Sequence, residues 1–107
     1  MVVFGAKLFE PTDFALHRDA GQTANAMLTI VAVSPKSVVT FHWNTKRRIT
    51  DRRFRLAKGE CKTLSLGGHE FVVHNNGRKA DTVRLSFDAP EIVVIYRLGF
   101  KGTRYDK

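Results

Sequence analysis

A chain of 107 residues has room for one modest core and is too short for an elaborate two-domain enzyme, so it reads as a single domain over 1–107. Hydrophobic residues make up 43% of it and include eight phenylalanines. That content can fill a core and argues against wholesale disorder, despite a formal net charge of +8.

No run of about 18 apolar residues occurs, and the opening "MVVFGAKLFEPTDF" lacks the basic and apolar regions of a signal peptide. The expectation is a soluble, cytoplasmic protein with no membrane partner. Cys61 is the sole cysteine, which excludes an intrachain disulfide and any multi-cysteine metal site. With no triad-like spacing around it, Cys61 reads as an ordinary thiol.

In chain order, residues 10–26, "EPTDFALHRDAGQTANA", hold the one helix candidate. Thr12 or Asp13 would cap it, Gly21 and Asn25 would keep it short, and a loop is the equal alternative. From there apolar residues alternate. The segments are 27–33, 38–43, 53–57, 63–66, 70–74, 82–87 and 92–98, short and rich in Val, Ile, Phe and Thr as strands are. Ser34-Pro35, Gly67-Gly68, Asn76-Gly77 and Ala89-Pro90 punctuate them. The predicted fold is all-β and mostly antiparallel, a small sandwich or barrel. Within it, Asn75-Asn76-Gly77 is expected to turn a hairpin between 70–74 and 82–87, with residues 78–81 making the connection longer or bulged.

Two stretches resemble one another. Residues 14–30 and 71–87 both begin Phe-x-x-His and end in an alternating strand, and each is followed by a small residue, a Pro and a Val-Val strand, "SPKSVVTFH" and "APEIVVIYR". A real duplication would make the chain a pseudo-dimer of two β halves, 1–45 and 54–107. Chance similarity of short β segments is the alternative.

The charge is concentrated. Residues 1–45 sum to zero, 46–62 to +6 and 63–107 to +2, a local excess that suits a polyanionic partner. In "RRFRLAK" Arg53 and Arg55 point one way on a strand while Phe54 and Leu56 point the other. The result is a guanidinium row able to contact phosphates bidentately and to stack on unpaired bases. Lys46, Arg47 and Arg48 are placed in the turn before this strand, extending the surface, and Lys58 follows it. The plainer reading is a charged strand edge that keeps the protein soluble. Trp43, Phe41 and Tyr96 are candidate stacking aromatics, with core packing as the ordinary role of a single Trp. His17, His42, His69 and His74 form no close pair of ligands, so no metal and no cofactor are expected. Neither a phosphate-binding glycine loop, a nucleophile elbow nor a carboxylate pair is evident, and the chain reads as a non-enzyme.

The segment "TVRLSFDAPEIVVIYR" (82–97) resembles the carbon storage regulator family of small RNA-binding proteins at Val83, Arg84, Leu85, Asp88, Ala89, Pro90, Val93 and Arg97. Upstream, Gly59, Glu60, Thr63, Leu64, Leu66 and Gly67 are similar to that family's Gly-Glu-Thr-(Leu/Ile)-x-Ile-Gly-Asp, so the likeness spans about 54–98. Ser86 stands where the family has Gly, Tyr96 where it has His, and "RLAK" where its first strand has Thr-Arg-Arg. The resemblance implies post-transcriptional regulation through an unpaired GGA in an RNA hairpin. It also implies a binding edge built from the first strand of one subunit and the last strand of the other. Arg97 transfers as an RNA contact, with Val93 and Ile95 presenting the neighbouring backbone. The expected partner is single-stranded or loop RNA, and a homo-oligomer suits the apolar "IVVIY" strand. The alternative is a sandwich or jelly-roll assembly protein whose basic edge meets an acidic protein partner.

Overall fold

Strands that alternate apolar and polar residues can bury one face only if a second layer covers it. A computed structural model, describing residues 1–17, 25–45 and 48–96 with the side chains of 48–51 outside that set, shows that second layer. Among the described residues nine strands run β1 (Val2–Ala6), β2 (Pro11–Leu16), β3 (Ala26–Val33), β4 (Val39–Thr45), β5 (Arg48–Leu56), β6 (Cys61–Leu66), β7 (His69–Lys79), β8 (Thr82–Asp88) and β9 (Val93–Tyr96). They form a four-stranded sheet in the order β1-β8-β7-β6 and a five-stranded sheet in the order β5-β4-β3-β2-β9. Every pairing is antiparallel, so the fold is an all-β sandwich.

The inward residues of each strand meet between the sheets. Val2, Phe4, Leu64, Leu66, Phe71, Val73, Val83, Leu85 and Phe87 face Phe14, Leu28, Ile30, Val39, Phe41, Trp43, Leu56, Val93 and Ile95 in one buried cluster. Phe14 is its hub. Its ring lies 5.0 Å from Phe71 in a stacked arrangement and 5.2 and 5.4 Å from Trp43 and Phe87 edge-on, joining the two sheets. Each such side chain contributes roughly 1.5–3 kcal/mol by leaving water, and the offset and edge-on geometries add to that.

Two strands went unpredicted, and the helix candidate is one of them. β2 occupies Pro11–Leu16 as a strand. Thr12, Phe14 and Leu16 point inward, but Asp13 and Ala15 on the other face are buried as well, so no polar alternation marks it in sequence. In β1, Val2, Phe4 and Ala6 are buried while the outward residues are Val3 and Gly5, again without polar contrast.

The hairpin between β7 and β8 forms, yet Asn75-Asn76-Gly77 does not turn it. β7 runs on to Lys79, and the reversal falls at Ala80 and Asp81, with Ala80 at a φ of 56°. Asn76-Gly77 is a bulge instead. The register slips between Asn75 and Arg78, and Gly77 adopts a φ of 96°, which a glycine enters without steric cost. The Asn75 amide is bonded within the bulge and across to two other segments. Nδ2 donates to the carbonyls of Ser37 and Leu56 at 3.0 and 2.9 Å, and Oδ1 accepts from Gly77 N–H at 2.9 Å.

The two similar stretches of sequence supply Phe14 and Phe71, which stack on one another. Their following strands have different neighbours: β4 pairs with β3, whereas β9 pairs with β2 in the opposite sheet from β8.

Candidate nucleic-acid interface

Among the described residues β5 is an edge of the five-stranded sheet and pairs with β4 alone. Directly opposed residues of an antiparallel pair share a face. The register sets Arg55 against Thr40, Arg53 against His42 and Phe54 against Phe41. Thr40 and His42 lie on the face of β4 away from the core, between the buried Val39, Phe41 and Trp43. The exposed Arg53 and Arg55 therefore belong to the outer face of the sheet.

The inward side of β5 anchors that row. Leu56 is buried, and Phe54 stacks on Phe41 with ring centroids 5.1 Å apart. Lys62 Nζ, from β6 in the other sheet, lies 5.7 Å above the Phe54 ring, a cation–π contact across the mouth of the sandwich. The arginines thus rise from a packed strand. Less ordering is needed when they bind than for a free basic arm.

Lys58 is exposed in the turn from β5 to β6. There Gly59 takes a φ of 88°, and Glu60 closes the turn by accepting Ala57 N–H on Oε1 at 2.6 Å. The bulge of β7 backs this turn: Gly59 N–H donates to Asn75 O at 2.7 Å and Asn75 N–H to Glu60 O at 3.0 Å. A Cβ at Gly77 would stand 3.0 Å from Lys58 Cε, so the missing side chain is what lets the lysine stem lie along β7.

Arg48 opens β5, opposite Thr45, rather than occupying the turn before it. Its side chain, Lys46, Arg47 and Arg97 lie outside the described residues. The sheet order sets β9 and β5 at opposite edges with three strands between. The strand that precedes Arg97 and the β5 arginines are consequently not one continuous edge.

The candidate stacking aromatics are placed differently from one another. Trp43 and Phe41 are buried in the core and offer no ring to a ligand. Tyr96 is half-buried opposite Asp13 on β2, and its phenol is pushed above the usual value of 10.0 by burial first and by the Asp13 charge second. Among the described residues the exposed aromatic is Phe9, at 67%, in the turn between β1 and β2, where the sequence carries no signal for it.

Cys61 is exposed and lies opposite His74. Among the described residues no group of three or more His, Cys, Asp and Glu side chains is placed to hold a metal ion. Among the same residues no helix is long and apolar enough to cross a membrane, which does not bear on β-barrels. No protein-family model matches the chain at a significant level, and neither does any curated protein or solved structure.

Proposed function

We propose that this chain is a non-enzymatic, cytoplasmic RNA-binding protein that takes up single-stranded or loop RNA on the outer face of β4 and β5, in the manner of a post-transcriptional regulator of GGA-containing hairpins. The observation that carries this reading is the pairing of β4 with β5. The carbon storage regulator resemblance calls for a first strand from one half beside a last strand from the other. "RLAK" in the first-strand position lies at the end of β5. In the two similar stretches, "SPKSVVTFH" and "APEIVVIYR", His42 stands where Arg97 stands, and His42 faces Arg53 across the ladder.

The chemistry supports the same reading. Arg53 and Arg55 can each present a planar fork to a phosphate or stack on an unpaired base. Lys58 adds a point charge at the end of the row, and Thr40 and His42 add hydrogen-bonding groups beside it.

Binding to a GGA hairpin at several salt concentrations, for the wild type and for Arg53→Ala/Arg55→Ala, tests the proposal. Loss of two phosphate contacts should weaken binding and reduce the slope of log K against log salt by about 1.4, at roughly 0.7 per single-strand contact. Equal affinity for a scrambled loop would leave an unspecific basic surface. An unchanged slope would send the arginine row back to solvation, or to the acidic protein partner that a pull-down with an acidic bait would reveal.

A further inference from the structure

Phe9 combines two features that folding does not require. Its ring is 67% exposed, and its backbone sits at a φ of 65°, where a bulky side chain is rare and strained. Glycine or asparagine would take the same turn with less strain. The turn itself is firmly made, with Glu10 N–H donating to Lys7 O at 3.1 Å and Phe9 N–H to Ile30 O at 2.7 Å.

The second of those bonds locates Phe9 on the sheet. It ties the residue to β3 beside the register slip between Ile30 and Ala32, Ala32 lies opposite Thr40, and Thr40 lies opposite Arg55. Ile30 itself lies opposite Phe41, and Phe41 opposite Phe54, so Phe9 and Arg55 stand at the two ends of neighbouring rungs of the five-stranded sheet, three strand spacings or about 14 Å apart. The outward residues between them, Ala32 and Thr40, are small. A ring at one end and guanidinium groups at the other match a short single strand, whose bases need a π-face and whose phosphates need positive charge.

We propose that Phe9 is a stacking platform for an unpaired base of the RNA strand whose phosphates Arg53 and Arg55 hold. This rests on the RNA reading above and adds a residue and a direction to it: the bound strand runs across the sheet, from β5 toward the turn between β1 and β2. Leu8, 46% exposed next to Phe9, widens the apolar end of the track.

The test uses the full chain with two probes of equal length, a single-stranded RNA and the same backbone with abasic sites, at physiological salt. Phe9→Ala is expected to weaken RNA binding about ten-fold, within the range one stacked base contributes, and to leave the abasic probe unaffected. Phe9→Tyr, which keeps the ring, should bind as the wild type does. Because the ring is in water, Phe9→Ala should not lower the melting temperature. Arg53→Ala/Arg55→Ala should weaken both probes alike. If Phe9→Ala binds RNA as well as the wild type while the arginine variant does not, the stacking role is overturned and the RNA reading stands. If the wild type binds neither probe, both fall. If Phe9→Ala loses binding to anionic lipid vesicles and not to RNA, the exposed tip belongs to a membrane surface instead.

Discussion

Asn75 bears more of this fold than a bulge residue ordinarily would, and its removal gives a sharp test. The side chain is fully buried and makes three hydrogen bonds, to the carbonyls of Ser37 and Leu56 and from the N–H of Gly77. These bonds tie the turn between β3 and β4, the end of β5 and the β7 bulge together. Asn75→Ala leaves two acceptors and one donor without that partner. At about 1 kcal/mol for each group, the lower end for a buried polar atom left unsatisfied, the loss is about 3 kcal/mol. That is a large fraction of the roughly 5–15 kcal/mol that holds a domain folded. Urea denaturation should show it directly, and the melting temperature should fall by about 12–24 °C at roughly 4–8 °C per kcal/mol. Asn75→Asp should be worse than Asn75→Ala at neutral pH, because a carboxylate facing two carbonyl oxygens is repelled where the amide donated. The introduced carboxyl would have its folded pKa raised. Its penalty is absent below the ordinary Asp value of about 4 and grows as pH rises through the folded value. A loss under about 1 kcal/mol for Asn75→Ala would refute this reasoning, since water or backbone would then be holding the three loops.

Three other outcomes follow from the geometry. Phe14→Ala should cost about 3–5 kcal/mol in equilibrium unfolding, because its ring joins Trp43 to Phe71 and Phe87 across the two sheets; a cost below about 2 kcal/mol would mean that the aromatic cluster closes around the gap. Gly77→Ala should cost about 1–2 kcal/mol from the left-handed backbone alone, and it should displace Lys58, whose stem a Cβ would meet at 3.0 Å, so phosphate affinity falls along with stability. Tyr96, followed by ultraviolet absorbance in a Tyr105→Phe background, should ionise above 10.0, and Asp13→Asn should bring its midpoint partly back. The unfolded chain gives up that proton first, so this group's contribution to stability is intact below pH 10 and declines as pH rises toward the folded value; a midpoint at or below 10 would contradict the burial of the phenol.

The arginine row was legible because one strand carried both signals. Arg53 and Arg55 alternate with Phe54 and Leu56, and the structure sends the first pair outward and the second pair to Phe41 and the core. Phe9 was not legible, since nothing in "KLFEP" distinguishes an exposed, left-handed phenylalanine from one more core aromatic. Trp43 had two readings in sequence, and only its neighbours Phe14 and Phe71 decide for burial. For the asparagine-glycine bulge the local signal was real but misassigned. A left-handed glycine was required at 77, but the bonds holding Asn75 come from 38 and 19 residues away, where no local pattern could show them.

Period-two alternation, Val-, Ile- and Phe-rich segments and Gly or Pro punctuation were enough to determine an antiparallel β fold and seven of the nine strands among the described residues. They also determined which side chains share a face, since successive residues of a strand must point to opposite sides. The two missing strands, β1 and β2, have apolar or buried residues on both faces, so their period was hidden. Beyond the β7–β8 hairpin, the tertiary structure decided which strand lies beside which. Local sequence cannot encode that β9 crosses to pair with β2, that β1 crosses to pair with β8, or that β5 ends the five-stranded sheet of the described residues. Those neighbours are chosen by long-range burial, and that choice, more than the number of arginines, places Arg53 and Arg55 on the outer face beside His42 and Thr40.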